Sequence, residues 1–86
     1  MIANIVRIAD GIVFKQVGDE MVLLDFERGI YFGLDPIGAR IWQLITEEKS
    51  VAAIVDALAD EYDVARDELE RDVAELLDDL AARGLI

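Results

Sequence analysis

Between Ala65 and Arg83 the apolar residues Leu69, Val73, Leu76 and Leu80 recur three or four places apart, a spacing that only a helix gathers onto one face. A shorter helical pattern precedes it, with Val51, Ile54, Val55, Leu58 and Tyr62 following a Ser50 cap, and the connection through Tyr62-Asp63-Val64 is tight. Two helices joined in this way form a helix-turn-helix, whose second helix normally enters the DNA major groove. Here that helix holds seven acids (Asp67, Glu68, Glu70, Asp72, Glu75, Asp78, Asp79) against three arginines (Arg66, Arg71, Arg83). A surface that must neutralise phosphates cannot be net negative. The layout is that of a nucleic-acid binder, but the charge is not.

The imbalance is concentrated in the helical half. Residues 1–46 carry four basic and six acidic groups, and residues 47–86 carry four and thirteen, so the second half holds nine of the eleven net negative charges. Such a field disfavours nucleic acid and anionic membranes and tolerates basic or neutral partners. The chain has no Cys and no His, which removes zinc fingers, thiol nucleophiles and imidazole bases. Ser50 and Thr46 are the only hydroxyl residues besides the tyrosines, and neither has a base nearby in sequence. No glycine cluster resembles a phosphate loop, and the carboxylates recur along helix faces as solvated charge. The inventory argues against an enzyme, a metal site or a bound cofactor. No apolar run approaches the ~18 residues of a membrane span, and no signal peptide opens the chain, so a soluble cytoplasmic protein is expected. Eighty-six residues at 55% hydrophobic content make one small folded domain.

The first half reads as strands. Ile12 to Val17 is a first strand, followed by a turn at Gly18-Asp19-Glu20; Met21 to Phe26 is a second, with Val22, Leu24 and Phe26 on one face and Met21, Leu23 and Asp25 on the other. Glu27-Arg28-Gly29 makes a second turn, with Gly29 free to take a positive φ, and Ile30 to Leu34 is a third strand. Two tight turns give an antiparallel meander whose edges are strands one and three. Asp35-Pro36 opens a helix to about Glu47, with Ile37, Ile41, Leu44 and Ile45 on its apolar face and Trp42 alongside as a core anchor. Gly84 ends the last helix, after which Leu85-Ile86 fold back onto the core. Residues 1–11 form an arm, either loose or an extra edge segment, and residues 12–86 form the domain. The order is β-β-β-α-α-α, an α+β fold.

Core packing leaves two features unexplained. The third strand is a short apolar edge without the lysine or proline that protects natural edges, and its Gly33 lets another backbone come close. Either the arm or a helix covers it, or it receives an extended peptide as a fourth strand. On the last helix, Ala74, Leu77 and Ala81 widen the apolar stripe beyond the core arc, which gives better burial or a shallow groove beside that strand.

Leu24-Asp25, then Gly29-Ile30-Tyr31-Phe32-Gly33-Leu34-Asp35 and Gly38-Ala39-Arg40-Ile41-Trp42, resemble the PqqD-like family. So does the end of the chain, from Tyr62-Asp63-Val64 through Glu68 to Val73 and on to Arg83-Gly84-Leu85-Ile86, so the resemblance covers residues 12–86. Ala65 departs from it, standing where an Asp or Ser helix cap is expected. The resemblance implies a winged helix-turn-helix that recognises ribosomally made, post-translationally modified peptides. It implies a precursor leader bound as an added strand on the third strand, against the third helix. On this chain that selects Arg28, Gly29, Ile30, Tyr31, Phe32, Gly33 and Leu34 on one side and Val73, Ala74, Leu77 and Ala81 on the other. The expected partner is a processing enzyme: the leader peptidase of a lasso-peptide system is favoured, with a radical SAM enzyme of pyrroloquinoline quinone biosynthesis as the alternative. A winged-helix transcriptional regulator and a carboxylate-based enzyme are the competing classes. A monomer is expected, with a dimer left open.

Overall fold

The computed structural model describes residues 5–86. Three strands, β1 (Ile12–Val17), β2 (Glu20–Asp25) and β3 (Ile30–Leu34), precede three helices, α1 (Pro36–Thr46), α2 (Val51–Glu61) and α3 (Arg66–Ala82). The sheet is antiparallel in the order β1-β2-β3, and with the α2–α3 pair it makes the winged helix-turn-helix expected from the sequence. Local chemistry sets both hairpins. Gly18 takes a positive φ of 64° as the first residue of a two-residue turn, the position that a type II′ hairpin reserves for glycine. In the second turn the Asp25 carboxylate accepts from the amides of Glu27 and Arg28, both at 3.1 Å, and Gly29 closes the loop at φ 68°. Phe26, expected to end the second strand, therefore lies in the turn and is exposed, while Glu20 joins β2.

The register places Phe14 opposite Leu23 and Leu23 opposite Phe32, and Met21 opposite Leu34. Met21, Leu23 and Asp25 are buried on the face covered by the helices; Val22 and Leu24, on the other face, are half-buried. α1 packs against this face through Ile41, Trp42, Leu44 and Ile45. Trp42 is 0% exposed and meets the edge of Phe14, with ring centroids 5.6 Å apart at 74°. Its indole N–H finds no partner among the described residues. Burying about 200 Å² of ring at roughly 25 cal/mol per Å² contributes about 5 kcal/mol. An unpaired donor costs about 1–3 kcal/mol, so burial wins.

Asp35 and Ser50 cap α1 and α2 through their side chains, accepting from Gly38 and Ala53 at 2.8 and 3.1 Å. A bidentate ion pair between Arg40 and Glu61 ties the two helices. The hydrogen bonds from Arg40 hold the Glu61 carboxyl below its ordinary range. That small contribution is present above the usual carboxylate pKa and fades as pH falls through the lowered one. α3 ends in a Schellman motif: Leu85 donates to the Leu80 carbonyl at 2.9 Å, Gly84 donates to Ala81 at 3.0 Å, and Gly84 sits at φ 75°. Leu85 is thereby folded into the core. The described part of the arm is tied down too. Ile5 bridges Ser50, the Ala9 amide donates to the Leu85 carbonyl at 3.1 Å, and Val6 and Ile8 pack on the core. Residues 1–4 of the arm lie outside the described residues.

Ala65 has the extended backbone of an N-cap, φ −60° and ψ 139°, but no side-chain cap bond. Ala65→Ser is expected to raise unfolding free energy by about 1 kcal/mol. For a domain of this size that is about 4–8 °C in Tm, readable by calorimetry. Ser50→Ala, removing a cap that is present, should move Tm down by a similar amount.

Candidate functional site: a groove between β3 and α3

β3 is the edge of the sheet, and among the described residues no strand pairs with its outer side. Ile30, Phe32 and Leu34 point to the helical face, while Tyr31 projects outward and is 71% exposed. The C-terminal turn of α3 is fastened to the hairpin. The Arg28 guanidinium donates to the Arg83 carbonyl at 3.1 Å, and the Arg83 guanidinium lies 4.4 Å over the Phe32 ring. A Cβ at Gly84 would stand 3.1 Å from the Arg28 guanidinium, a tight contact, and the φ of 75° already favours glycine there. Away from this fastening a cavity of about 440 Å³ opens between strand and helix. Phe32, Gly33 and Leu34 form its strand wall, Ile37, Gly38 and Ile41 of α1 its floor, and Leu76 its apolar helix wall. Asp35, Asp72, Glu75 and Asp79 rim it with carboxylates. Beyond Phe32 a second cavity, of about 160 Å³, is lined by Asp25, Arg28, Ile30, Arg83 and Leu85. The two cavities share Phe32 as a lining residue, and both lie along the open edge.

A groove backed by an unpaired edge can accept main-chain hydrogen bonds along one side and apolar side chains along the other. Its titratable groups are carboxylates and guanidiniums at an open surface.

The family model for coenzyme PQQ synthesis protein D (PqqD) matches residues 20–86. The chain belongs to the PqqD family. A PqqA binding protein from Rhodopseudomonas palustris (strain TIE-1) is 40% identical over 73 residues, which are 85% of this chain and 70% of that protein. Among solved structures, TbiB1 in complex with the TbiA(beta) leader peptide superposes with a TM-score of 0.90 at 45% identity, over 93% of both chains. A lasso peptide synthetase B1 complexed with the leader peptide gives 0.86 at 35% identity, over 92% of this chain and 93% of that one.

Within this PqqD-family chain the strand half of the expected site is gathered on the groove. Arg28, Ile30 and Phe32 line the second cavity, and Phe32, Gly33 and Leu34 line the first. Gly29 is in the turn between them, and Tyr31 faces away on the outer side of the sheet. The helix half is displaced. Val73 is buried in the core, and Ala74, Leu77 and Ala81 do not line the groove. At about 100° per residue they lie on the flank of α3 opposite Asp72, Leu76 and Asp79. Leu76, expected in the core arc with Leu69, Val73 and Leu80, is half-buried and forms the groove wall. Ile37, expected on the apolar face of α1, is 41% exposed and contributes to the floor instead. Asp72, Glu75, Asp79 and Arg83 were not singled out by apolar patterning. Their signal was a charged stripe at helical spacing around Leu76.

This register is open to measurement in the free protein. Leu80→Ala, from a fully buried position, is expected to cost about 3–5 kcal/mol in denaturant unfolding, and Leu76→Ala about 1–2 kcal/mol. Equal losses at the two positions would mean that α3 is turned from the orientation described.

Proposed function

We propose that this protein captures the leader segment of a ribosomally made precursor peptide as a fourth strand on β3 and delivers it to a processing enzyme, performing no chemistry itself. The observation that carries the reading is the open β3 edge in front of an apolar-floored groove. Its family membership supports it, as do two structures of the same fold, each in complex with a leader peptide and sharing more than a third of its residues with this chain. A leader of the lasso-peptide kind, handed to a leader peptidase, is favoured because a lasso peptide synthetase B1 matches over 92% of this chain and 93% of its own. Identity of 40–46% to PqqA binding proteins supports a second reading, in which the ligand is PqqA and the recipient a radical SAM enzyme. Since the proposed ligand is a ribosomal product awaiting processing, the same reading puts the protein in the cytoplasm.

Magnitudes say how such a ligand is held. Alternate residues of the five in β3 direct their amides and carbonyls outward. About four to six bonds at a net ~0.5–1.5 kcal/mol each must first offset about 4 kcal/mol or more of lost freedom. Micromolar affinity needs about 8 kcal/mol. Backbone pairing alone falls short, and apolar side chains in the groove supply the remainder.

Titration calorimetry with the TbiA(beta) leader and with PqqA tests the reading and separates its two versions. The amides of Ile30 and Tyr31 point to opposite sides of β3, so proline at one of them breaks the β2 ladder and at the other removes an outward donor. The variant that keeps the wild-type circular dichroism is expected to bind at least tenfold more weakly (~1.4 kcal/mol). Unchanged affinity in that folded variant would exclude strand addition. Because apolar contacts and strand bonds are barely screened, Kd is expected to rise less than about tenfold between ~0.05 and ~0.5 M salt. A DNA-type dependence would be far steeper, near ~10³-fold.

A further inference from the structure

The groove is electrically polarised along β3. At the Leu34 end, Asp35, Asp72 and Glu75 line the cavity without a basic residue among them, and neither Asp72 nor Glu75 is in an ion pair among the described residues. At the Ile30 end the cavity is lined by two guanidiniums, those of Arg28 and Arg83, each with one carboxylate of the chain beside it, Asp25 and Asp79, so the negative charge left unbalanced is that of the Leu34 end. Phe32 is common to both cavities, and Leu76 joins it in the lining of the first. Arg28 is held in place by its bond to the Arg83 carbonyl and by Asp25, whose carboxylate stands 3.6 Å from its Nε. Arg83 is held by Asp79 at 3.1 Å and by its stacking on Phe32. Both cations are thus positioned before any ligand arrives.

Ile30, Phe32 and Leu34 share one face, so a strand added beside β3 directs every second side chain at the same three places. Residues four apart in that strand are about 13 Å apart, the length of β3 itself. The existing sheet is wholly antiparallel, and antiparallel ladders pair slightly better per residue, so the added strand runs antiparallel to β3. Its earlier residues then lie at the Leu34 end and its later residues at the Ile30 end.

Building on the strand-addition reading above, we propose that the groove selects an extended segment of the pattern basic-x-apolar-x-acidic. Its lysine or arginine faces Asp72 and Glu75, its apolar side chain enters the Phe32–Leu76 pocket, and its carboxylate faces Arg28 and Arg83. The charge order fixes both the direction and the register of the ligand strand. Register is otherwise weakly specified, because a slip of two residues would keep every backbone bond and every facing. Such a slip here places a charge over the apolar pocket and leaves the opposite charge beyond the groove.

Selection of displayed random dodecapeptides on the intact protein tests this. The expected enrichment is Lys or Arg, then an apolar residue two places on, then Asp or Glu two places further. A selected peptide remade with its two charges exchanged should bind about tenfold more weakly at ~0.05 M salt, and the gap should close to less than about twofold near ~1 M. The double variant Asp72→Lys, Glu75→Lys alters two exposed side chains that make no hydrogen bond among the described residues. It should shift the enriched first residue from basic to acidic. Enrichment without charge order, or with the reverse order, overturns the proposal. Its failure is distinguishable from that of strand addition. If the selected peptides bind the folded proline variant of β3 as well as they bind wild type, strand addition itself has failed; if they lose binding there but carry no charge order, only the charge pattern has.

Discussion

The last turn of α3 is held to the β2–β3 hairpin by Arg28, which donates to the Arg83 carbonyl, and by Arg83, which lies on the Phe32 ring. This attachment sits at one end of the helix. Toward its N-terminus α3 packs instead on α2 and the core, through Leu69 and Val73. A rigid rod fixed at one end of a twisted strand must diverge from that strand along its length. The groove is that divergence, and its depth depends on the clamp. The Schellman motif and Gly84 permit the close approach, because a side chain at Gly84 would meet the Arg28 guanidinium. The same two arginines form one wall of the smaller cavity, so the contact that shapes the groove also charges one end of it.

Among the described residues nothing pairs with the outer edge of β3, while the inner face of the sheet is buried. α1 covers the inner face of the sheet with Trp42, Ile41, Leu44 and Ile45, and its first turn leaves Ile37 and Gly38 as the groove floor. The described part of the arm is held elsewhere, with Ile5 bridged to Ser50, the Ala9 amide donating to Leu85 and the Gly11 carbonyl accepting from Phe26. A solvent-facing edge is ordinarily a liability that proteins blunt with charge or proline. In this chain the acids that would discourage casual pairing are on the facing helix, in Asp72, Glu75 and Asp79, where they screen the approach and leave the strand's own amides and carbonyls free.

The helix-turn-helix layout and its use separate here for an electrostatic reason. The geometry of α2 and α3 is that of a DNA reader, yet α3 exposes acids along the face that would meet phosphates. A fold fixes where side chains stand, and their charge decides what may approach them. A net negative helix disfavours phosphate contact, and the same helix walls a groove suited to a peptide.

Turns, caps and period were legible in the sequence because each is settled by bonds within a few residues: Gly18 and Gly29 at positive φ, Asp35 and Ser50 as caps, Gly84 behind α3. The meander followed from two short turns, and both edges from the meander. The strand wall of the groove was readable for the same reason, since an edge strand declares its faces by alternation alone. The helix half was not. Leu76 and Leu77 are adjacent in sequence and equally apolar, but about 100° of rotation puts one on the groove and the other on the far flank. Local periodicity gives the width of an apolar stripe without saying which of its margins meets the sheet. That was decided by contacts distant in sequence, Arg28 with Arg83 and Phe32 with the same guanidinium, which join residues about fifty positions apart. Sequence alone determined the elements, their order and which strands are edges; that the described arm leaves the β3 edge open, and how α3 is rotated against it, came only from the tertiary structure.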